Sequence, residues 1–438
     1  MTRCDLVVLA DRVVTTSGER PAAVAVSQGR IVAVTAMGDA PTAARTRRLA
    51  DDEVLMPGLV DTHVHLQEPG RPGWEGVLSG TRAAALGGTT TVVDMPLDGL
   101  PVTVDLAGLR VKQRALRGRC AVDVGLWGGA VPGLAGLSEL RLAGVLGFKA
   151  FLSPSGCEEF PPLLHAELHD ALRRLVPTGL PLLVHAEDET RARPQDPPTR
   201  NYATWLASRP AEVETAAVAA VIDAVRTTGG WAHVAHVSSA GAVGLLRSAR
   251  REGLPLTAET CPHYLVRPAE SIGDGDTLVK ALPAVRGAAE SEILWEALAE
   301  GVLDLVVSDH SPCAPGGKDT GDFTRDAAGV SSLQLRLPLL WSEARRRGHA
   351  LSDLARWTAQ APADLAGLPR KGRIAVGADA DLVAFAPDDR VVVVSSDLAH
   401  RQNRTPYDGW QLTGTVRTTW LRGRVYADGQ AAGRVLTR

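Results

Sequence analysis

Eight short apolar runs dominate the middle of the chain, and each is followed by a segment of a different pattern. Strands of a parallel sheet that is covered on both faces have this near-continuous apolar composition. The runs are residues 58–66, 89–95, 122–127, 146–152, 180–185, 232–237, 256–260 and 303–307. Eight such units predict a closed (β/α)8 barrel of the TIM type.

The segments between the runs place apolar residues three and four positions apart. This spacing is typical of helices that pack one face on a sheet. The clearest predicted helices of the outer ring are residues 75–86, 212–226, 240–252 and 289–299.

The two ends of the chain have short β segments separated by turn residues. Near the start these are residues 4–10, 22–26 and 30–34; near the end they are residues 380–385, 390–394, 414–421 and 425–427. The similar texture predicts one small β-sandwich, formed by residues 1–56 and 370–438. It would flank a barrel of residues 57–369.

Composition limits the partners that this chain can have. Lys and Arg (47) nearly balance Asp and Glu (50), so the net charge of -3 provides no basic field for a nucleic acid or an anionic membrane. No stretch reaches the roughly 18 apolar residues of a membrane span, and no signal peptide is indicated. We therefore expect a small, roughly neutral partner.

Cysteine usage indicates a reducing compartment. The cysteines are odd in number, scattered, and without a C-x-x-C pair, which argues against a disulfide framework and a thiolate zinc site. They are Cys4, Cys120, Cys157, Cys261 and Cys313. The cytoplasm is the expected location.

Histidines and one aspartate fall at the ends of the apolar runs. His63 and His65 are two residues apart, so in a strand both side chains leave the same face and can reach one metal ion. His185, His236 and Asp309 close three later runs. Active sites of this fold form at the carboxyl ends of the strands, so these five side chains are predicted metal ligands.

Two other residues in the runs need separate interpretations. His233 lies three positions before His236, and this odd offset predicts that it faces away from the metal. Lys149 is a charged residue in an apolar run, and a buried ammonium would be costly. Either a buried salt bridge neutralises it, or carboxylation by CO2 converts it to a carbamate that bridges two metal ions.

With a carbamate, the set becomes four histidines, one carbamate and one aspartate, which suits two zinc or related divalent ions. Two metal ions that share a water lower its pKa, so that hydroxide can attack an amide carbon at neutral pH. Asp309 is then expected to be both a ligand and the proton acceptor, and to pass its proton to the leaving nitrogen.

These residues resemble the cyclic amidohydrolase branch of the amidohydrolase superfamily over nearly the whole chain. The matching positions are residues 57–65, the strand lysine Lys149, His185 in Val-His-Ala-Glu, His236 in His-Val-Ser-Ser, and Asp309 in Ser-Asp-His-Ser-Pro-Cys. The resemblance implies a (β/α)8 barrel with a small β-sandwich, two metal ions that are commonly zinc, and a carboxylated lysine. It also implies a homo-oligomer, frequently a tetramer.

Within the branch, several segments look most like those of allantoinases: residues 65–71, 74–76, 93–97, 259–265 and 307–313. Dihydroorotases carry an arginine after the His-x-His pair, where it pairs with the substrate carboxylate. This chain has Gln67 there, and a neutral amide cannot make that charged bidentate pair. The resemblance therefore implies ring opening of (S)-allantoin to allantoate in purine catabolism, with Gln67 as a substrate-binding residue.

The chain departs from the usual allantoinase pattern in two segments, residues 280–286 and 326–331, and at residue 404. In relatives these segments hold the ring amide largely through backbone groups, so Leu282 and Gly329 are the predicted contacts in spite of the changes. The departures are Ala281, Ala284, Ala327, Ala328 and, in place of a histidine, Arg404.

Three groups near the predicted mouth keep open roles. Ser153 and Ser155 follow Lys149 where hydantoinases place a tyrosine, so no oxyanion donor is assigned. His263 and His310 are expected near the mouth, either supporting a ligand or contacting substrate.

Three alternatives to allantoin hydrolysis stay open. Hydantoinase or dihydropyrimidinase activity is the first, and dihydroorotase activity is disfavoured by Gln67. A non-enzymatic scaffold related to dihydropyrimidinase is the third, although such scaffolds lose the metal ligands that this chain retains.

Overall fold

The structure is a computed structural model that describes residues 4–195 and 197–438. Five strands precede residue 58: β1 (Cys4–Thr15), β2 (Gly18–Ser27), β3 (Arg30–Thr35), β4 (Ala43–Arg48) and β5 (Val54–Pro57). β2 pairs antiparallel with both β1 and β3, whereas β4 and β5 pair with β1 in parallel.

The middle of the chain forms a ring of parallel strands. They are β6 (Leu59–Val64), β7 (Thr89–Asp94), β8 (Asp123–Leu126), β9 (Gly128–Gly129), β10 (Phe148–Phe151), β11 (Leu182–His185), β12 (Ala232–Val234), β13 (Leu256–Thr260) and β14 (Leu305–Val306). β8 pairs with β7 and β9 with β10, so these two act as one interrupted strand and the ring has eight members. A parallel bridge between Val64 and His310 joins the last member to the first.

Helices connect the strands of the ring. They are α1 (Val77–Leu86), α2 (Leu106–Leu116), α3 (Leu137–Leu142), α4 (His165–Leu175), α5 (Tyr202–Ala207), α6 (Glu212–Thr228), α7 (Ala240–Arg251), α8 (Pro262–Val266), α9 (Ala288–Ala299), α10 (Arg336–Arg346), α11 (Leu351–Ala355) and α12 (Ala361–Leu365). One large apolar cluster fills the ring and the space beneath these helices. This alternation makes the domain a (β/α)8 barrel.

The chain then returns to its first sheet through β15 (Leu382–Val392), β16 (Gln411–Leu421) and β17 (Arg424–Val425). β15 pairs antiparallel with β5, which places both chain ends in one mixed sheet of eight strands with its own apolar cluster. Gly58 lies where the sheet meets the barrel. A Cβ there would lie 2.3 Å from Thr90 Oγ1, so this close approach requires glycine.

A buried arginine secures the barrel where it closes. Arg336 donates to the carbonyl oxygens of Val60 and Val306, at 3.0 and 3.3 Å, and pairs with Asp61 at 3.2 Å. Asp61 in turn accepts from the backbone N–H of Ser308. The first and last strands are thereby tied just below the position of Asp309.

The predicted fold is confirmed in its main elements. Each of the eight apolar runs contains a strand of the ring, and the two ends of the chain share a sheet. The prediction missed β4 and β5, because β4 is exposed and rich in arginine rather than apolar. Residues 390–394 are not a separate strand, since β15 runs continuously to Val392. The division of the chain at residues 56 and 370 stays a prediction.

Within the described ranges, no helix has both the length and the apolar character that a membrane crossing needs.

Candidate metal centre

Three predicted ligands meet at the carboxyl end of the barrel. His63 lies in β6, and His65 follows its last residue. His63 Nε2 lies 3.3 Å from Asp309 Oδ1, and His65 Nε2 lies 3.9 Å from the same oxygen. One donor atom from each of the three residues lies within 4.8 Å of the others. Two imidazoles and a carboxylate at this separation suit one divalent metal ion.

His185 and His236 form a second pair beside the first. His185 ends β11, and His236 follows β12 by two residues. His185 Nδ1 faces His236 Nε2 at 3.0 Å. The ring of His236 also lies close to that of His63, with 5.3 Å between centroids. The structure therefore brings all four predicted histidines together.

Lys149 lies in β10 with its side chain fully buried. Among the described residues, none accepts a hydrogen bond from Lys149 Nζ or forms a salt bridge with it. Burial lowers the pKa of Lys149 to about 8, although Glu259 and Asp309 act in the opposite direction. The simple buried salt bridge is therefore disfavoured, and an unpaired buried amine calls for another explanation.

Two of the predicted ligands have a left-handed backbone conformation, which sets the direction of their side chains. His236 has a φ of 37° and Asp309 a φ of 46°, and both lie beyond the end of their strands. Residues other than glycine rarely adopt this conformation, and such strain concentrates at functional sites. The side-chain alternation of a strand does not extend to these positions, so the local turn determines where the ligands point.

Each of three histidines has a carboxylate against the ring nitrogen that faces away from the centre. At His63 and His185 the contact is a hydrogen bond, which fixes the tautomer and leaves the other nitrogen free to bind a metal. The pairs are His63 Nδ1 with Glu259 Oε1 at 2.5 Å, His65 Nδ1 with Asp98 Oδ2 at 2.8 Å, and His185 Nε2 with Glu187 Oε2 at 2.9 Å.

Burial keeps His63, His185 and His236 neutral, as metal binding requires. It lowers the pKa of His63 to about 3, with Lys149 acting in the same direction and Glu259 against it. It also lowers the pKa of His185 and that of His236. Burial has the opposite effect on the carboxyl of Asp309, raising its pKa to about 7 against the influence of His65 and Lys149. The neutral rings of His63, His185 and His236 therefore have lone pairs available for a metal ion.

A cavity of about 130 Å³ opens over these groups. Beside the ligands it is lined by polar and small residues, including Asp98, Ser153, Ser155, Glu187, Glu189, Leu282 and Gly329. Two of the predicted substrate contacts, Leu282 and Gly329, therefore reach it. Gln67 is not among the lining residues; its amide donates to the carbonyl of Pro312.

Gly329 has to be glycine at this wall. Its φ is 130°, and a Cβ would lie 1.9 Å from the carbonyl oxygen of Ser311. The Gly329 N–H already donates to Lys280 O at 2.9 Å. Only the Gly329 carbonyl is therefore left to contact a bound molecule.

The other histidines near the mouth do not join the centre directly. His233 Nε2 lies 3.0 Å from Glu259 Oε2, outside the cavity lining. His310 pairs with Glu75 at 2.9 Å. His263 is buried beside Cys261 and Asp309.

Comparison with known proteins places the chain in a family. Residues 54–176 and 210–426 match the model of the Amidohydrolase family. The chain belongs to this family. The matched segments carry every proposed metal ligand except His185, which lies in the gap between them.

Full-length relatives of this amidohydrolase are enzymes named allantoinases. One from Streptomyces avermitilis is 47% identical, with 100% of each chain covered. Another, from Arabidopsis thaliana, is 41% identical and covers 96% of this chain and 88% of its own length. Among solved structures, an L-hydantoinase (dihydropyrimidinase) from Arthrobacter aurescens superposes with a TM-score of 0.93 at 28% identity, covering 99% of this chain and 100% of that one.

Sequence reasoning missed the carboxylates that orient the histidines of this amidohydrolase. Glu187 closely follows the predicted ligand His185 in the sequence, and Glu259 lies in a segment that resembles allantoinases. Neither pattern indicates that these carboxylates orient a histidine. Glu259 is an acidic residue in an apolar run. Because a buried charge is costly, as at Lys149, this position indicates that Glu259 has a buried partner. For Asp98, which follows the second run, no comparable pattern exists in the sequence.

Proposed function

We propose that this amidohydrolase opens the ring of (S)-allantoin to give allantoate, as a step of purine breakdown. The observation that carries the proposal is the 47% identity to an allantoinase over the full length of both chains. A structural likeness to an L-hydantoinase (dihydropyrimidinase), with a TM-score of 0.93, favours the same reaction type on another ring and supplies the second candidate.

The charge of the cavity lining supports a neutral substrate. Asp98, Glu187 and Glu189 line the cavity, and within the described chain no lysine or arginine does so. Carboxylate oxygens can accept N–H groups of a ureide, whereas no cationic side chain of the described residues lines the cavity to pair with a substrate carboxylate. This lining, like Gln67, disfavours dihydroorotate.

We propose a two-metal centre, with zinc as the metal. Its ligands would be His63, His65, Lys149, His185, His236 and Asp309. Bound divalent ions would supply the Lewis acidity that makes water a nucleophile at neutral pH and polarises a carbonyl group. The set of neutral imidazoles and a carboxylate fits such ions.

Lys149 would take part as a carbamate. A neutral amine attacks CO2 at carbon, and loss of one amine proton gives an anion with two oxygens. The unpartnered, fully buried Nζ supports this modification, because the carbamate replaces a costly lone amine by a group that metal ions can pair.

The remaining roles follow from the positions of the chain's own groups. Asp309, at the cavity, would accept the proton of the attacking water and return it to the leaving ring nitrogen. The carbonyl of Gly329 and the backbone of Leu282 would orient the ring. Gln67 would act from a distance by holding Pro312, whose neighbour Ser311 lines the cavity.

We also propose a cytoplasmic setting and a homo-oligomer, a tetramer by family resemblance. The five cysteines are all free thiols, which supports a reducing compartment.

Parallel rate measurements test the function. Protein expressed with zinc and bicarbonate would be assayed on allantoin, dihydrouracil, hydantoin and dihydroorotate. Allantoin turnover far above the other three is expected. Preference for hydantoin or dihydrouracil would move the function to the second candidate, and no turnover of any ring by metal-loaded protein would favour a non-enzymatic scaffold.

A further inference from the structure

A second group of donor atoms shares Asp309 with the proposed centre. Cys261 follows β13 and His263 lies in the first turn of α8. One donor atom each from Cys261, His263 and Asp309 lies within 4.8 Å of the other two. The mechanism proposed above uses neither Cys261 nor His263.

The buried side chain of His263, which lacks hydrogen-bond partners, is the feature that points to a bound ligand. Its side chain has no exposed surface, and neither ring nitrogen finds a hydrogen-bond partner in the described part of the chain. A buried imidazole with two unsatisfied nitrogens is costly, and its neutral form offers a lone pair to a cation.

The donor chemistry selects the class of cation. Thiolate and imidazole together favour zinc and softer ions such as cadmium over magnesium or calcium. A carboxylate has two oxygens, so Asp309 can bind one cation beside His63 and His65 and another beside Cys261. Three protein ligands leave a further position on the cation open, and Asp309 is the member of the cluster that lines the cavity.

We propose that Cys261, His263 and Asp309 form an additional, inhibitory site for a soft divalent cation. A cation that enters through the cavity would bind the thiolate of Cys261 and release the thiol proton to solvent. It would also draw the Asp309 carboxylate away from its role as proton carrier. The proposal rests on the proposed function only through Asp309, since the binding itself requires no catalysis.

Cadmium titration of the zinc-loaded protein tests the site. A bound thiolate gives an ultraviolet thiolate-to-cadmium absorption band, and this readout is independent of activity. We expect the wild-type protein to bind one cadmium ion beyond the zinc centre, with the band appearing as ring opening declines. Cys261→Ser should abolish the band and raise the inhibitory cadmium concentration by at least about tenfold, because even outer partners of metal sites contribute about 10–100-fold in affinity.

Two more variants make the test specific. Cys313→Ser changes a partly exposed thiol outside the cluster and should behave as wild type. His263→Gln keeps the thiol but removes a nitrogen ligand, so it should retain a weaker band; it also serves if Cys261→Ser does not fold. An unchanged band in Cys261→Ser, loss of the band in Cys313→Ser, or full cadmium affinity in His263→Gln would overturn the proposal. Loss of ring opening without cadmium would instead concern the proposed function.

Discussion

Replacing Glu259 by glutamine should weaken metal binding although Glu259 is not itself a proposed ligand. Glu259 is fully buried between two imidazoles, with Oε1 2.5 Å from His63 Nδ1 and Oε2 3.0 Å from His233 Nε2. Burial opposes its ionisation, but His63 and His233 outweigh burial and lower the pKa of Glu259. Its Oε1 therefore accepts from the ring of His63, while Oε2 forms a close ion-pair contact with the ring of His233.

Glutamine has the same shape but only one acceptor oxygen. If that oxygen faces His233, the amide N–H2 group meets His63 Nδ1, and the His63 proton has to move to Nε2. That nitrogen faces Asp309 at 3.3 Å and is the one proposed to bind metal. A hydrogen bond to a charged group contributes about 1.5–3 kcal/mol, and about 1.4 kcal/mol corresponds to a tenfold change in affinity. Metal affinity should therefore fall by about 10–100-fold.

Competition with a chromogenic zinc chelator measures this change directly. Glu214→Gln is the matched control: Glu214 is also buried but bonds to Ser238 and to none of the proposed ligands, so this variant should leave zinc affinity unaltered. Less than a twofold change in Glu259→Gln would refute the reasoning, as would an equal loss in both variants.

Three further predictions concern proton transfer, stability and pH. Asp309→Asn should lower kcat by at least about 100-fold; full turnover with metal bound would contradict the proton-acceptor role. Lys371→Met should lower the free energy of unfolding in urea by about 3–5 kcal/mol, because it leaves buried Asp381 without its cation and removes one of two cations from Asp123 and from Asp379; an unchanged midpoint would exclude this. Burial lowers the pKa of His400 from 6.5 to about 3, so the folded state binds fewer protons and stability declines as pH falls from 6.5 towards 3. His400→Gln should reduce that decline in acid melts, and superimposable profiles would argue against it.

The barrel could be predicted from sequence because its pattern is local and repeated. Each of the eight members of the ring contains an apolar run, and the helical spacing between runs is visible without knowledge of tertiary contacts. The strand β4 could not be predicted, since it joins the sheet through backbone pairing with β1 while its arginines face solvent. β-Structure at such an edge depends on the partner strand rather than on composition.

The ligands were predictable for a related reason. In a (β/α)8 barrel, the ends of all strands converge, so polar residues that close apolar runs must meet. The carboxylates that orient these ligands could not be predicted in this way, because Glu259 is 196 residues from His63 in sequence. The position of Gln67 outside the cavity lining could not be predicted either. Gln67 has a positive φ, and at a residue other than glycine this conformation has no signature in composition.

The buried charges around the proposed centre balance one another only when the carboxylates, Lys149 and the metal ions are considered together. Arg71 lies 3.7 Å from Asp98 and Arg209 lies 3.2 Å from Glu187, so these two carboxylates have counterions of their own. Glu259 and Asp309 have Lys149 as the nearby cation, and a carbamate would turn that cation into a further negative charge. Buried negative charges in such number are unfavourable unless cations offset them. Two divalent metal ions provide that charge, so carboxylation of Lys149, the orienting carboxylates and metal binding should depend on one another.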